Sequence, residues 1–158
     1  MGLSTSREFQ LVSDAEALAY SAEHLWYELL MLRWAIRQQP WDRQAANARL
    51  ECFAIHARNL IDFLYPPENP KKKDVIFADF LKGSGWEPEA PSAELTRARN
   101  MAHKQIAHLT TGRIAGSGHA DKAWHLTEVT RDIETVLRKF SANASPERLA
   151  KKFVDLLG

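Results

Sequence analysis

Between Ser13 and Gln39 the apolar residues Leu18, Ala22, Leu25, Leu29, Leu32 and Ile36 recur at alternating spacings of four and three. That interval stacks side chains on one face of an α-helix. Tyr20, His24, Tyr27, Met31 and Trp34 repeat the rhythm on a second face. The pattern predicts a first helix capped by Ser13 or Asp14 and ended by Pro40. With two apolar faces, it should be covered on both sides, by the rest of its own bundle or by another subunit. Asp42 reads as the cap of a second helix running to about Tyr65, with Leu50, Phe53, Ala57, Leu60 and Leu64 as its seam and Pro66-Pro67 as its stop.

Residues 66–91 lose this periodicity. Lys71-Lys72-Lys73 is a basic run, Asp74 to Leu81 reads as a short helix, and Gly83 and Gly85 mark its end. A third long helix is expected from near Ser92, with Leu95, Ala98, Ala102, Ile106 and Leu109 facing inward and Gly112 near its C-terminus. A fourth is expected over Ala120–Ser141, carrying Leu126, Val129, Ile133, Val136, Leu137 and Phe140. Ser145-Pro146-Glu147 has the residues of a helix start for the segment holding Leu149, Phe153, Leu156 and Leu157. No stretch alternates in the manner of a strand. The expected fold is all-α, an antiparallel helical bundle of four long helices plus one or two short ones, a single domain over 1–158 with a flexible N-terminus at 1–12.

Composition narrows the function classes. A chain of 158 residues with 45% hydrophobic and 26% charged residues has material for one core. Its net charge of +1 supplies no global field for nucleic acid or an acidic membrane, so RNA binding would need a local patch or a dimer groove. The single cysteine, Cys52, rules out an intrachain disulfide framework and reads as a small buried hydrophobe. No run reaches the roughly 20 apolar residues of a membrane span, and the N-terminus lacks a signal-peptide pattern, so the expected location is the cytoplasm.

Candidate chemistry concentrates in the second and third helices. His56 and Asn59, three residues apart, project from one helix face, and Arg58 and Asp62, four apart, suit an intrahelical ion pair. Further on, Arg99 and His103 share a face, with Asn100 beside them and His108 on another azimuth. An Arg close to a His is what metal-independent RNA cleavage requires. The imidazole moves a proton near neutral pH while the guanidinium balances charge on the phosphorane. Arg99, His103 and His108 are therefore candidate catalytic residues, and His56, Arg58, Asn59 and Asn100 candidate binding residues. The plainer alternative is that the histidines and asparagines are buried and fix helix register.

The segments His56-Ala57-Arg58-Asn59-Leu60-Ile61-Asp62-Phe63 and Gln105-Ile106-Ala107-His108-Leu109-Thr110 resemble a group of small bacterial helical proteins. More distantly, four helices with Arg, Asn and His on a late one resemble the HEPN superfamily. That resemblance implies a ribonuclease toxin or effector that dimerises, joining two motifs of an Arg followed after four to six residues by a His. Arg97 to His103 has that spacing with Ala98 after the Arg, and Arg99-Asn100 supplies the Arg-Asn dipeptide. The chain lacks the Glu-x-x-His pairs of a carboxylate-bridged di-iron bundle, and Gly83-Ser84-Gly85 lacks the Lys of a phosphate loop. No cofactor is expected. Two readings remain: an RNA-directed, dimeric, metal-independent nuclease, and a non-catalytic dimerisation or partner-binding module.

Overall fold

In the computed structural model, residues 13–71, 73–106 and 123–158 are described, and among them all regular structure is helical. The elements are α1 (Asp14–Tyr20), a π turn (Ser21–Leu25), α2 (Trp26–Arg37), α3 (Arg43–Leu64), a 3₁₀ turn (Phe77–Phe80), α4 (Ala93–Met101), a second π turn (Ala102–Ile106), α5 (Leu126–Asn143) and α6 (Lys151–Leu157). Lengths run from 7 residues in α1 to 22 in α3, so the described helices are not four long equals. Residues 1–12, Lys72, His108 and the glycines at 112, 116 and 118 lie outside the described residues.

Capping explains where helices start. Ser13 and Glu16 form a reciprocal capping box at α1, Asp42 accepts from Ala45 N at 2.7 Å, and Ser92 accepts from Leu95 N at 3.2 Å. Each satisfies backbone donors that a helix N-terminus leaves open. Three expected starts or spans are corrected. The Asp74–Leu81 helix contracts to the 3₁₀ turn at Phe77–Phe80. The fourth long helix begins at Leu126, the described residues before it being non-helical. Ser145-Pro146-Glu147 forms only a turn, and α6 starts at Lys151. There the backbone has other partners: Ser145 N donates to Phe80 O, and Ala150 N to the buried Ser21 Oγ.

The first stripe also shifts. Downstream of Leu25 the expected positions Leu29 and Leu32 are fully buried, but upstream the buried residues are Ala17 and Ser21, while Leu18 is 41% exposed. Ala17, Ser21, Leu25 and Leu29 are spaced by four. At about 100° per residue, three such steps would carry a stripe about 120° around an α-helix. The wider π turn takes up that drift. It keeps the small residues inward, and it alters the direction in which Tyr20 and His24 leave the helix.

α2 and α3 run antiparallel. Arg49 donates to the Ala35 and Ile36 carbonyls at one end, and His56 and Asn59 meet Glu28 further along. Leu29, Leu32, Phe53, Leu60, Ile61, Leu95, Ile133 and Leu137 form the main core, and Phe63, Phe80 and Phe140 pack edge to face at its end. Arg148 ties the last turn to the first helix and the 3₁₀ turn, donating to Asp14 Oδ1 and the Asp79 carbonyl at 2.7 Å each. No described helix is long and apolar enough to cross a membrane.

Candidate functional site

The polar residues of α3 occupy the turns between its buried ones. Phe53, Ala57, Leu60, Ile61 and Leu64 anchor the helix, which leaves His56, Arg58, Asn59 and Asp62 on its half-buried flanks. α3 lies between α2 and α4, packing against both. Over it opens a cleft of about 630 Å³, and the first helical rod, α3, the 67–76 segment and α4 all contribute to its walls.

On the α2 side, Glu28 Oε2 receives two donors. His56 Nδ1 stands 2.6 Å away, and Asn59 Nδ2 donates at 3.2 Å. Tyr27 meets the His56 ring edge-on at 5.6 Å. Glu28 and Asn59 line the cleft, and His56 stands behind them. The expectation that His56 and Asn59 share a helix face is met on a single oxygen.

On the α4 side, Asp62 lies between the arginines. Arg99 Nε is 2.7 Å from Asp62 Oδ1, in the geometry of an ion pair rather than of an aligned hydrogen bond. Arg58 Nε is 3.9 Å from Asp62 Oδ2, beyond hydrogen-bond range, and this buried donor has no hydrogen-bond partner among the described residues. One carboxylate thus faces two guanidiniums and leaves hydrogen-bonding capacity over. Lys71 and Lys73 line the same cleft, with Asp74 beside them.

His103 lines the cleft with Arg99 and lies in the π turn that follows α4. The other π turn carries His24, whose ring lies 4.7 Å from that of Tyr20. Tyr20 in turn rests against Phe80, and burial, with the charges of Glu28 and Asp79, pushes its phenol above the ordinary value. π turns are rare and collect at functional sites. Here both described ones bring a histidine to one cleft.

Of the residues singled out in the sequence, Arg58, Asn59, Arg99 and His103 meet in the cleft and His56 supports it from behind. Asn100 does not join them. It is exposed and lines a shallow depression with Ala93, Thr96, Arg97, Met101 and Lys104. His108 lies outside the described residues. Glu28 escaped sequence reasoning, because it sits inside the apolar rhythm of the first helix, and only the π turn reveals which way His24 faces. Among the described residues no group of three or more His, Cys, Asp or Glu is arranged to hold a metal ion. Comparison with protein-family models, with curated proteins and with solved structures gives no match.

Proposed function

We propose that this helical-bundle domain cleaves RNA at this cleft without a metal ion. The single observation that carries the reading is the Arg58–Asp62–Arg99 group, in which Arg58 Nε makes no hydrogen bond among the described residues, lining the same cleft as His103. RNA supplies its own nucleophile, the 2′-hydroxyl, so the protein needs only a base and positive charge for the phosphorane. His103 takes the proton, Arg99 and Arg58 meet the non-bridging oxygens, and Lys71 and Lys73 attract the flanking phosphates. Glu28, held by His56 and Asn59, fixes the opposite wall. The chain is then akin to HEPN ribonucleases in its chemistry.

The test is incubation of purified protein with a mixed RNA pool in EDTA, beside an Arg99→Ala/His103→Ala double variant. Cleavage by the wild type alone is the expected result. No cleavage by either protein overturns the reading.

A second reading, a dimerising or partner-binding module, is favoured by one observation. Tyr27 and Trp34, seven residues apart on α2, are each 47% exposed, Ile55 is 48% and Trp41 87% exposed. Large side chains of this kind anchor protein interfaces. Light scattering across a wide concentration range distinguishes a homodimer from a monomer, and a Tyr27→Glu/Trp34→Glu variant should dissociate the dimer.

A further inference from the structure

His24, which no sequence motif marks, sits across the cleft from His103. The first helical rod and α4 flank α3, so the imidazoles come from opposite sides of a floor made by Arg58, Asn59 and Asp62. Each lies in a π turn, and each is exposed. His56, by contrast, is committed to Glu28 at 2.6 Å. His24 is positioned by its tilted ring contact with Tyr20, itself seated on Phe80.

Transesterification of RNA places the attacking and departing oxygens on opposite sides of phosphorus, so base and acid must approach from opposite sides as well. Resting on the reading of this cleft as a ribonuclease site, we infer that His24 is the general acid. His103 accepts the 2′-hydroxyl proton as the 2′-oxygen bonds to phosphorus. The bond from phosphorus to the 5′-oxygen breaks, and protonated His24 gives its proton to that oxygen. The products are a 2′,3′-cyclic phosphate and a 5′-hydroxyl, and exchange with water resets both rings. General acid catalysis of this kind is worth about 10²–10⁴-fold.

The discriminating substrate is an RNA dinucleotide whose 5′-bridging oxygen is replaced by sulfur, because a thiolate departs without a proton. His24→Ala should lose about 10²-fold or more on the ordinary dinucleotide and regain near wild-type rate on the sulfur substrate. His103→Ala should stay impaired on both. Equal losses of His24→Ala on both substrates would make His24 a binding group and overturn the inference, as would wild-type rates on the ordinary one. Rescue of His108→Ala in place of His24→Ala would assign the acid elsewhere and overturn it too. A wild type inactive on both substrates removes the ribonuclease reading itself. The exposed His24 makes a folded variant the expectation, and His24→Gln, which keeps the polar bulk, checks it by circular dichroism.

Discussion

Among the described residues, two clusters set one carboxylate between two arginines, and they are built to opposite ends. In the first, Glu134 Oε1 accepts from Arg33 Nε at 2.6 Å and Oε2 from Arg138 Nη2 at 3.0 Å. The same arginines also donate to the last carbonyls of α6, Arg33 to Leu156 and Arg138 to Leu157. Cations that satisfy open carbonyls at a helix C-terminus stabilise it. In the second cluster Arg58 stands 3.9 Å from Asp62, Arg99 is paired but misaligned, and no helix end is closed. The first cluster joins α2, α5 and α6. The second lines a cleft and leaves Arg58 Nε without a hydrogen bond among the described residues. The same charged groups, one carboxylate and two guanidiniums, therefore separate into a fastening and a candidate site by how many of their hydrogen bonds are already made.

The sharpest way to break this comparison is to remove one arginine from each. Arg99→Ala should lower kcat/KM for RNA cleavage by about 10²–10³-fold, the scale of losing a group that stabilises transition-state charge. Its melting temperature should move by only a few degrees, since a pair about one-third exposed contributes about 1 kcal/mol or less. Arg33→Ala should do the reverse, melting earlier with kcat/KM of its folded fraction unchanged. Parallel thermal melts and initial rates check both, and equal activity losses would dissolve the distinction.

Next in size is the carboxylate itself. Glu134 is 14% exposed in its side chain and Asp62 34%. Glu134→Ala leaves the mostly buried Arg33 beside the half-exposed Arg138, at a cost of about 1–3 kcal/mol. Asp62→Ala frees two arginines about one-third exposed and should cost about 1 kcal/mol or less. Urea titration measures both.

Most of the helices were legible in the sequence, because period and capping residues act locally. Asp42 to Tyr65 is the clear case, with Asp42 as cap and the tyrosine ending the helix. What escaped depends on contacts between distant segments. The stripe ahead of Leu25 slid by one residue because a π turn, not an α turn, connects it to α2. Ser145-Pro146 carries a helix-start sequence yet stays a turn, because its backbone pairs with Phe80 and the neighbouring Ala150 with Ser21. Within the cleft, the i,i+3 and i,i+4 relations on α3 could be read directly. Glu28 could not, since its partners lie 28 and 31 residues away on another helix.

A smaller effect separates the clusters by pH. Burial alone would raise the Glu134 carboxyl, but the hydrogen bond and charge of Arg33, with those of Arg138, hold it below its ordinary 4.5. A depressed folded value contributes stability that is complete above the ordinary range and disappears as pH falls through the lower folded value. Stability measured from neutrality into acid should therefore fall less steeply in Glu134→Gln than in the wild type. An unchanged slope would mean that Glu134 is not the carboxylate that makes the fastening acid-sensitive.

The smallest effect tests where the cleft ends. Asn100 follows Arg99 directly and belongs to the same Arg-Asn dipeptide, so proximity in sequence argues for a shared role. Adjacent helical residues leave the axis about 100° apart, however, and Asn100 lies against Thr96, Arg97 and Lys104 rather than over Asp62. Asn100→Ala should leave RNA cleavage within about twofold and stability within about 0.5 kcal/mol, as expected for an exposed substitution away from packing and caps. Its rate should then separate from that of Arg99→Ala by at least an order of magnitude. If instead the two neighbours lose activity together, the reacting phosphate sits on the outer face of α4, and the unspent donors around Asp62 are not where the chemistry occurs.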